Sequence, residues 1–269
     1  GGNRKSLQCG YHGWTYGMDG ALLTTPEFDG VACFDKKDVR LPAARVDTWA
    51  AFVFVNLSPS GPGLKDVLGD IPAQTSHLSL DHMRLYKKID YEVACNWKVY
   101  VDNYLEGYHI PLVHPGLFRE LDYAAYRVET AEYSSKQHAP IRRRANEESL
   151  YRRNLKAEAE PEALYYWLFP NLMLNLYPDN LQTNVILPLS HDRTLTRFEW
   201  FVSDEHRPGL EEELARSLEF SDEVQQEDIE ICEAVQRGLR SNTYQSGRYS
   251  VARENGLHHF HGLLSRFLQ

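Results

Sequence analysis

The chain has 269 residues, of which 42% are hydrophobic and 25% charged, and carries a formal charge of −9. That length suits one large domain, or a small domain joined to a larger one, with a sizeable core. The acidic balance argues against a nucleic-acid-binding surface, and no apolar run approaches the roughly 20 residues a membrane-spanning helix needs.

Residues 1–57 are rich in glycine, aromatics and short apolar runs, a pattern of strands and tight turns. The opening Gly1-Gly-Asn-Arg-Lys-Ser6 has no apolar segment behind it, so no signal peptide is expected and the protein reads as cytoplasmic. Met18-Asp-Gly20, flanked by Trp14–Tyr16 and Ala21–Leu23, predicts a hairpin. Trp49–Leu57 reads as a buried strand. Ser58-Pro-Ser-Gly-Pro-Gly63 is the best linker, giving a small all-β domain over 1–60 and a larger domain over 61–269. Ile89–Cys95 alternates as a half-buried strand does, and Asn96 is a suitable N-cap for a following helix. Residues 136–163 are highly charged and read as a surface excursion, either a solvated segment or a lid. Strand-like runs return at 172–177, 183–189 and 195–202, and a long helix is predicted from Leu210 to Leu239. The four cysteines form no regular framework, as in a reducing compartment. Cys33, Cys95 and Cys232 are expected as small buried apolar residues.

Cys9 differs. Cys9-Gly-Tyr-His12 sets a thiol and an imidazole three positions apart, with Gly10 and Gly13 allowing a tight loop. A Rieske 2Fe–2S centre takes two thiolates on one iron and two histidines on the other, so such a loop is half of a ligand set. By itself, Cys-x-x-His is a weak signal. No other cysteine in the chain has a histidine one or two residues after it, so this sequence alone supplies half of such a set: either the remaining ligands are expected upstream of this sequence or the cluster has been lost.

Asn96-Trp-Lys-Val-Tyr-Val-Asp-Asn-Tyr-Leu-Glu-Gly-Tyr-His109-Ile-Pro-Leu-Val-His114-Pro is the most informative stretch. At helical spacing Trp97, Val101, Tyr104, Leu105 and Tyr108 share an apolar face, and Asp102, Glu106 and His109 share another. On one continuous helix His109 and His114 would point about 140° apart. They converge on a metal only if the helix breaks between them, and Pro111 and Pro115 supply the break. Two imidazoles plus a carboxylate suit non-haem Fe(II). In the late helix Val224, Ile231, Cys232, Val235 and Leu239 form an apolar stripe with Asp228 in its middle, whereas Glu227, Glu230 and Glu233 fall at its edge or outside. A carboxylate facing a core needs a partner or a metal, so Asp228 is the third candidate, the alternative being a buried ion pair with an arginine. His258, His259 and His261 offer a weaker metal cluster with no evident carboxylate partner, and Tyr165, Tyr166 and Trp167 read as core residues rather than a cage for a cation.

Taken whole, Cys9-Gly-Tyr-His-Gly-Trp-Thr-Tyr16, Asp102–Gly116, Trp167–Met173, Glu227–Gly238 and the tail Glu254–Phe260 resemble, in order, the motifs of Rieske-type non-haem iron oxygenase catalytic subunits. The resemblance implies an α+β architecture: part of a small all-β Rieske domain, then an antiparallel sheet covered by helices in a helix-grip arrangement. It implies mononuclear iron on His109, His114 and Asp228, half of a 2Fe–2S site on Cys9 and His12, and a bridge between the two centres at Glu106, with Asp102 and Asn103 close behind the iron ligands. Glu at position 106 resembles the group that includes carnitine, choline and glycine-betaine oxygenases. Electrons from NAD(P)H would arrive through a separate reductase or ferredoxin, and dioxygen would be activated beside a small organic substrate, which is hydroxylated or oxidatively demethylated. A homotrimer is implied, each cluster serving its neighbour's iron. Dihydroxylation of an aromatic ring is the alternative chemistry. A non-enzymatic Rieske electron carrier is the alternative class, although it has no use for the two-histidine motif or Asp228.

Overall fold

A computed structural model describes residues 2–142, 162–176, 180–203, 209–241 and 243–269. Its contacts divide the chain after Pro62, inside the Ser58–Gly63 stretch.

In the first unit, strands β1 (Ser6–Gln8), β2 (Thr15–Gly17) and β3 (Leu22–Thr24) form an antiparallel sheet in that order. The Met18–Gly20 turn joins β2 to β3, with Gly20 at φ 85°, a conformation glycine adopts without steric cost. Trp14, Phe28 and Phe34 meet edge-on or tilted, with ring centroids 4.7 to 5.7 Å apart. The Trp49–Leu57 expectation is corrected. It is a hairpin rather than one buried strand: β4 (Arg45–Trp49) pairs with β5 (Phe52–Asn56), and Val53, Val55 and Leu57 are exposed. A two-stranded ribbon cannot bury both of its faces. Cys33 is also exposed, in left-handed backbone at φ 58°. The Arg45 guanidinium donates to the carbonyls of Ser60, Gly61 and Pro62.

The second unit is built on a seven-stranded antiparallel sheet. Its members are β6 (Met83–Val93), β7 (Arg127–Thr130), β8 (Ser134–Pro140), β9 (Glu162–Leu168), β10 (Leu172–Leu176), β11 (Asn180–Ser190) and β12 (Arg193–Ser203), in the order β6-β12-β11-β10-β9-β8-β7. Helices α1 (Leu64–Leu68) and α2 (Ile71–Gln74) precede the sheet. After β6 come α3 (Trp97–Tyr104), α4 (Ile110–Val113) and α5 (Pro115–Glu120), and after β12 come α6 (Leu210–Leu239) and α7 (Asn255–Phe267). The expected α+β class, an antiparallel sheet covered by helices, is what the chain adopts. Val99, Val101 and Leu105 of the α3 segment, Cys232 of α6 and Phe260 and Leu263 of α7 close over Trp167, Met173 and Ile186 of the sheet in one core. Burial of this kind, at about 1.5–3 kcal/mol for each large side chain, is the main force holding the layers together.

The charged stretch 136–163 begins as sheet rather than surface. Through Pro140 it is β8, with Gln137 buried and Lys136 paired to Glu129 at 2.8 Å. Residues 143–161, where a lid was expected, lie outside the described residues, as does Tyr177 of the run at 172–177. Asn96 caps α3, its side-chain oxygen accepting from Lys98 N at 3.0 Å. α3 stops at Tyr104, so Tyr108 leaves the predicted apolar face and is 59% exposed.

Straps hold α6 against the sheet. Asp222 accepts from Tyr91 Oη at 2.8 Å, Glu233 from Ala94 N at 3.0 Å and Gln236 from Asn96 N at 2.7 Å. Asp102 points to α7 instead of the expected metal ligands. His261 Nε2 lies 2.9 Å from its Oδ1, and Tyr249 Oη lies 2.6 Å from His261 Nδ1. The carboxylate that the histidine cluster on α7 was expected to lack is therefore Asp102. Gly256 sits so close to Leu105 that a Cβ there would lie 2.6 Å from the Leu105 carbonyl oxygen.

Two outcomes follow from these contacts. Gly256→Ala must push α7 off backbone, and it should cost about 1–3 kcal/mol of stability in thermal or denaturant unfolding. The Asp102 hydrogen bond raises the His261 pKa against the opposing effect of burial. A raised histidine pKa contributes stability that is fully present below the unfolded value near 6.5 and is lost as pH rises through the folded value. Burial likewise raises the Asp102 pKa, its bond to His261 offsetting only part of the shift, and this acts in the same sense at lower pH. Asp102→Asn should bring His261 back towards its ordinary pKa in an NMR titration and flatten the fall in melting temperature between pH 6 and 8.5. An unchanged His261 titration would contradict the pairing.

Candidate metal centre

The two histidines flank a single helical turn. His109 is the N-cap of α4, and His114 both ends α4 and caps α5. The prolines act differently from expectation. Pro111 occupies the first turn of α4, where a missing N–H is not needed, and so starts a helix instead of breaking one. Pro115 opens α5, and by excluding the helical region for the residue before it holds His114 at φ −116°, ψ 72°. The break thus falls at His114, and the two imidazole centroids come to 4.9 Å of each other.

A carboxylate behind each ring selects which nitrogen faces inward. Glu106 Oε1 sits 2.5 Å from His109 Nδ1, while its other oxygen accepts from the Tyr108 and His109 amides. Glu227 Oε2 sits 2.7 Å from His114 Nδ1. Each Nε2 is left pointing at Asp228, whose Oδ1 is 3.0 Å from that of His114 and 3.8 Å from that of His109. Asn103 Nδ2 donates to the same oxygen at 2.5 Å. Burial pulls the His114 pKa down, but the hydrogen bonds and charges of Asp228 and Glu227 outweigh it and leave it raised.

One ligand atom from each of His109, His114 and Asp228 lies within 4.8 Å of the others, the only group of this kind among the described residues. Three carboxyl groups around two imidazoles, with His114 1% exposed, leave the cluster short of positive charge. A divalent cation bound through both Nε2 atoms and Asp228 would meet that need, with the outer carboxylates fixing the imidazole tautomers. The donor set therefore fits the expected metal.

The structure brings His109, His114, Asp228, Glu106 and Asn103 together and leaves Asp102 aside. Cys9 and His12 share the β1–β2 loop of the first unit, both exposed, with Cys9 N donating to Trp14 O at 2.8 Å. Of the two loop glycines only Gly13, at φ 74°, uses backbone that other residues disfavour. Glu227, at the edge of or outside the expected apolar stripe, is a partner of His114. The inward stripe of α6 is polar at its centre, comprising Leu214, Ser221, Gln225, Asp228 and Cys232, whereas Val235 and Leu239 are exposed. Gln225 accepts from Tyr100 Oη at 2.5 Å. Its position three residues before Asp228 is the helical signal that could have revealed it. Gly107 is also fixed here, since a Cβ on it would lie 2.7 Å from the Tyr126 ring. A cavity of about 830 Å³, counting its open mouth, adjoins these residues between the sheet and helices α3 to α6.

Residues 80–269 match the family described as ring hydroxylating alpha subunit (catalytic domain). The chain is 35% identical to choline monooxygenase, chloroplastic, from Arabidopsis thaliana, covering 100% of this chain and 64% of that protein. It is 29% identical to the carnitine monooxygenase oxygenase subunit of Escherichia coli K12, covering 98% and 71%. In three dimensions it is similar to the quaternary ammonium Rieske monooxygenase CntA in complex with an inhibitor, with a TM-score of 0.79, 25% identity and coverage of 100% and 74%. The chain spans 60 to 64% of the length of the choline monooxygenases it matches. A two-histidine, one-carboxylate cluster at a sheet-and-helix cavity, in a chain matched over 190 residues, has one family reading: the chain belongs to the ring hydroxylating alpha subunit family.

Proposed function

We propose that the chain is the catalytic portion of a Rieske-type oxygenase that uses dioxygen and NAD(P)H-derived electrons to hydroxylate or oxidatively demethylate a small quaternary amine. The observation that carries this reading is the pair of carboxylate-backed imidazoles converging with Asp228 beside the cavity. His109 and His114 would hold iron through Nε2 and Asp228 through its carboxylate. Bound there, iron supplies dioxygen activation. Glu106 and Glu227 hold the rings in the required tautomer, and Asn103 fixes the Asp228 carboxylate by donating to Oδ1.

Cys9 and His12 would supply half of the ligands of a 2Fe–2S cluster, the rest coming from upstream of this sequence. Glu106, backing His109, is the proposed bridge for electrons from a neighbouring subunit's cluster in a homotrimer, with a separate reductase or ferredoxin as donor. The quaternary-amine reading is supported by the choline and carnitine monooxygenases among the relatives. The cavity wall supports it too. Tyr126, Tyr165, Phe198 and Phe220 offer aromatic faces that attract a desolvated cation, and no lysine or arginine lines it among the described residues. Tyr165 lines the cavity and also packs against the core around Ile110, Leu121 and Tyr126.

Two measurements test this. In the full-length protein, Asp228→Ala should lose the mononuclear iron while keeping cluster iron, and Glu227→Gln should weaken iron binding roughly 10–100-fold in a chelator competition. Iron content unchanged in Asp228→Ala would overturn the site. With a reductase supplied, oxygen uptake should depend on a quaternary amine and give a hydroxylated or demethylated product. A cis-diol from an aromatic substrate, with no turnover of quaternary amines, would shift the reading to ring dihydroxylation.

A further inference from the structure

The cavity wall carries five buried amides: Gln137, Asn175, Gln182, Asn184 and Gln225. Four have their carbonyl oxygens engaged. Gln137 accepts from Tyr126 Oη, Asn175 from Tyr104 Oη at 2.7 Å, Gln182 from Ser221 Oγ at 3.5 Å and Gln225 from Tyr100 Oη at 2.5 Å. Asn184 differs: it is 3% exposed, and its Oδ1 has no hydrogen-bond partner among the described residues. The sheet explains why. Its direct neighbours across β10 and β12 are Met173 and Phe198, neither of which carries a donor. A buried acceptor left unpaired costs about 1–3 kcal/mol, and buried side-chain oxygens in native proteins are nearly always paired. Of the unpaired buried atoms Ser135 Oγ, Asn184 Oδ1 and His259 Nε2 among the described residues, the one on Asn184 belongs to a cavity residue.

We infer that Asn184 is a specificity-determining residue, its Oδ1 accepting a hydrogen bond from a hydroxyl or N–H group of the substrate. A fully methylated ammonium has no N–H, so in a quaternary amine the donor is a hydroxyl elsewhere on the molecule. The substrate class narrows from quaternary amines in general to amino alcohols. This rests on the cavity being the substrate site, as proposed above.

The test is equilibrium binding to the iron-loaded full-length protein of two matched pairs: choline against ethyltrimethylammonium, and 2-phenylethanol against ethylbenzene. In each pair one member lacks only the hydroxyl. The expected result is a preference of about tenfold or more for the hydroxylated member. Asn184→Leu should abolish that preference, and Asn184→Asp, whose ionised form can only accept, should keep it. Asn184→Leu should also hold or raise the melting temperature, because it removes an unpaired buried polar group, whereas an amide with a structural partner would lower it. A preference seen only in the aromatic pair supports the role of Asn184 and overturns the quaternary-amine reading instead. Equal binding within every pair that binds, a preference that survives in Asn184→Leu, a fall in the melting temperature of that variant, or no binding of any of the four overturns the assignment.

Discussion

The His114–Asp228 contact is the interaction on which the rest of the second unit turns. It joins residues 114 positions apart, one at the end of a helical turn and the other in the middle of a long helix. His114 is almost fully buried and meets Glu227 on one nitrogen and Asp228 on the other. An imidazole desolvated between two carboxylates is costly unless every polar atom is satisfied and the surplus negative charge is met. The fold supplies the first condition through paired side chains and leaves the second to a cation. Straps from Asp222, Glu233 and Gln236 then set the height of α6 so that Asp228 stands level with the two rings.

What could be read from the sequence was mostly local or periodic. The hairpin at Met18–Gly20, the cap at Asn96 and the span of α6 follow from turn chemistry, capping and helical period, and each has its determinants within a few residues. The convergence of His109, His114 and Asp228 in space was also legible, because the histidine spacing requires a break in one element and the apolar stripe of α6 places a carboxylate inward. Harder to read was anything that depended on where one element meets a second. Glu227 sits next to Asp228, and on an isolated helix its neighbour's face is not its own. It becomes a partner of His114 only because α4 and α5 deliver that ring from the side. Asp102 shares a helix face with the metal motif, yet α3 ends at Tyr104 and α7 takes its carboxylate.

The departures from the local pattern have a common physical cause. Trp49–Leu57 is apolar enough for a buried strand, but hydropathy does not count layers, and β4–β5 is a ribbon of two strands. The charge over 136–163 suggested solvent, although Lys136 pairs with Glu129 on the neighbouring strand and Gln137 bonds to Tyr126 and to the Tyr104 carbonyl. Pro111, expected as a breaker, serves as a helix starter, a role its missing N–H permits in a first turn, whereas Pro115 both opens α5 and ends α4 at His114. In each case the residue property was right and the surroundings decided its use.

The order of strands has a consequence for biosynthesis. β6, first along the chain, pairs with β12, last along the chain, and α6 follows β12. During synthesis, therefore, His109 and His114 leave the ribosome well before Asp228 and Glu227, with most of the sheet between them. The sheet cannot complete its edge, nor α6 find its straps, until the final strand has emerged. A nascent chain consequently presents two histidines and Glu106 without the carboxylate that completes the set, and capture of an ion by all three ligands becomes one of the last events in folding this unit.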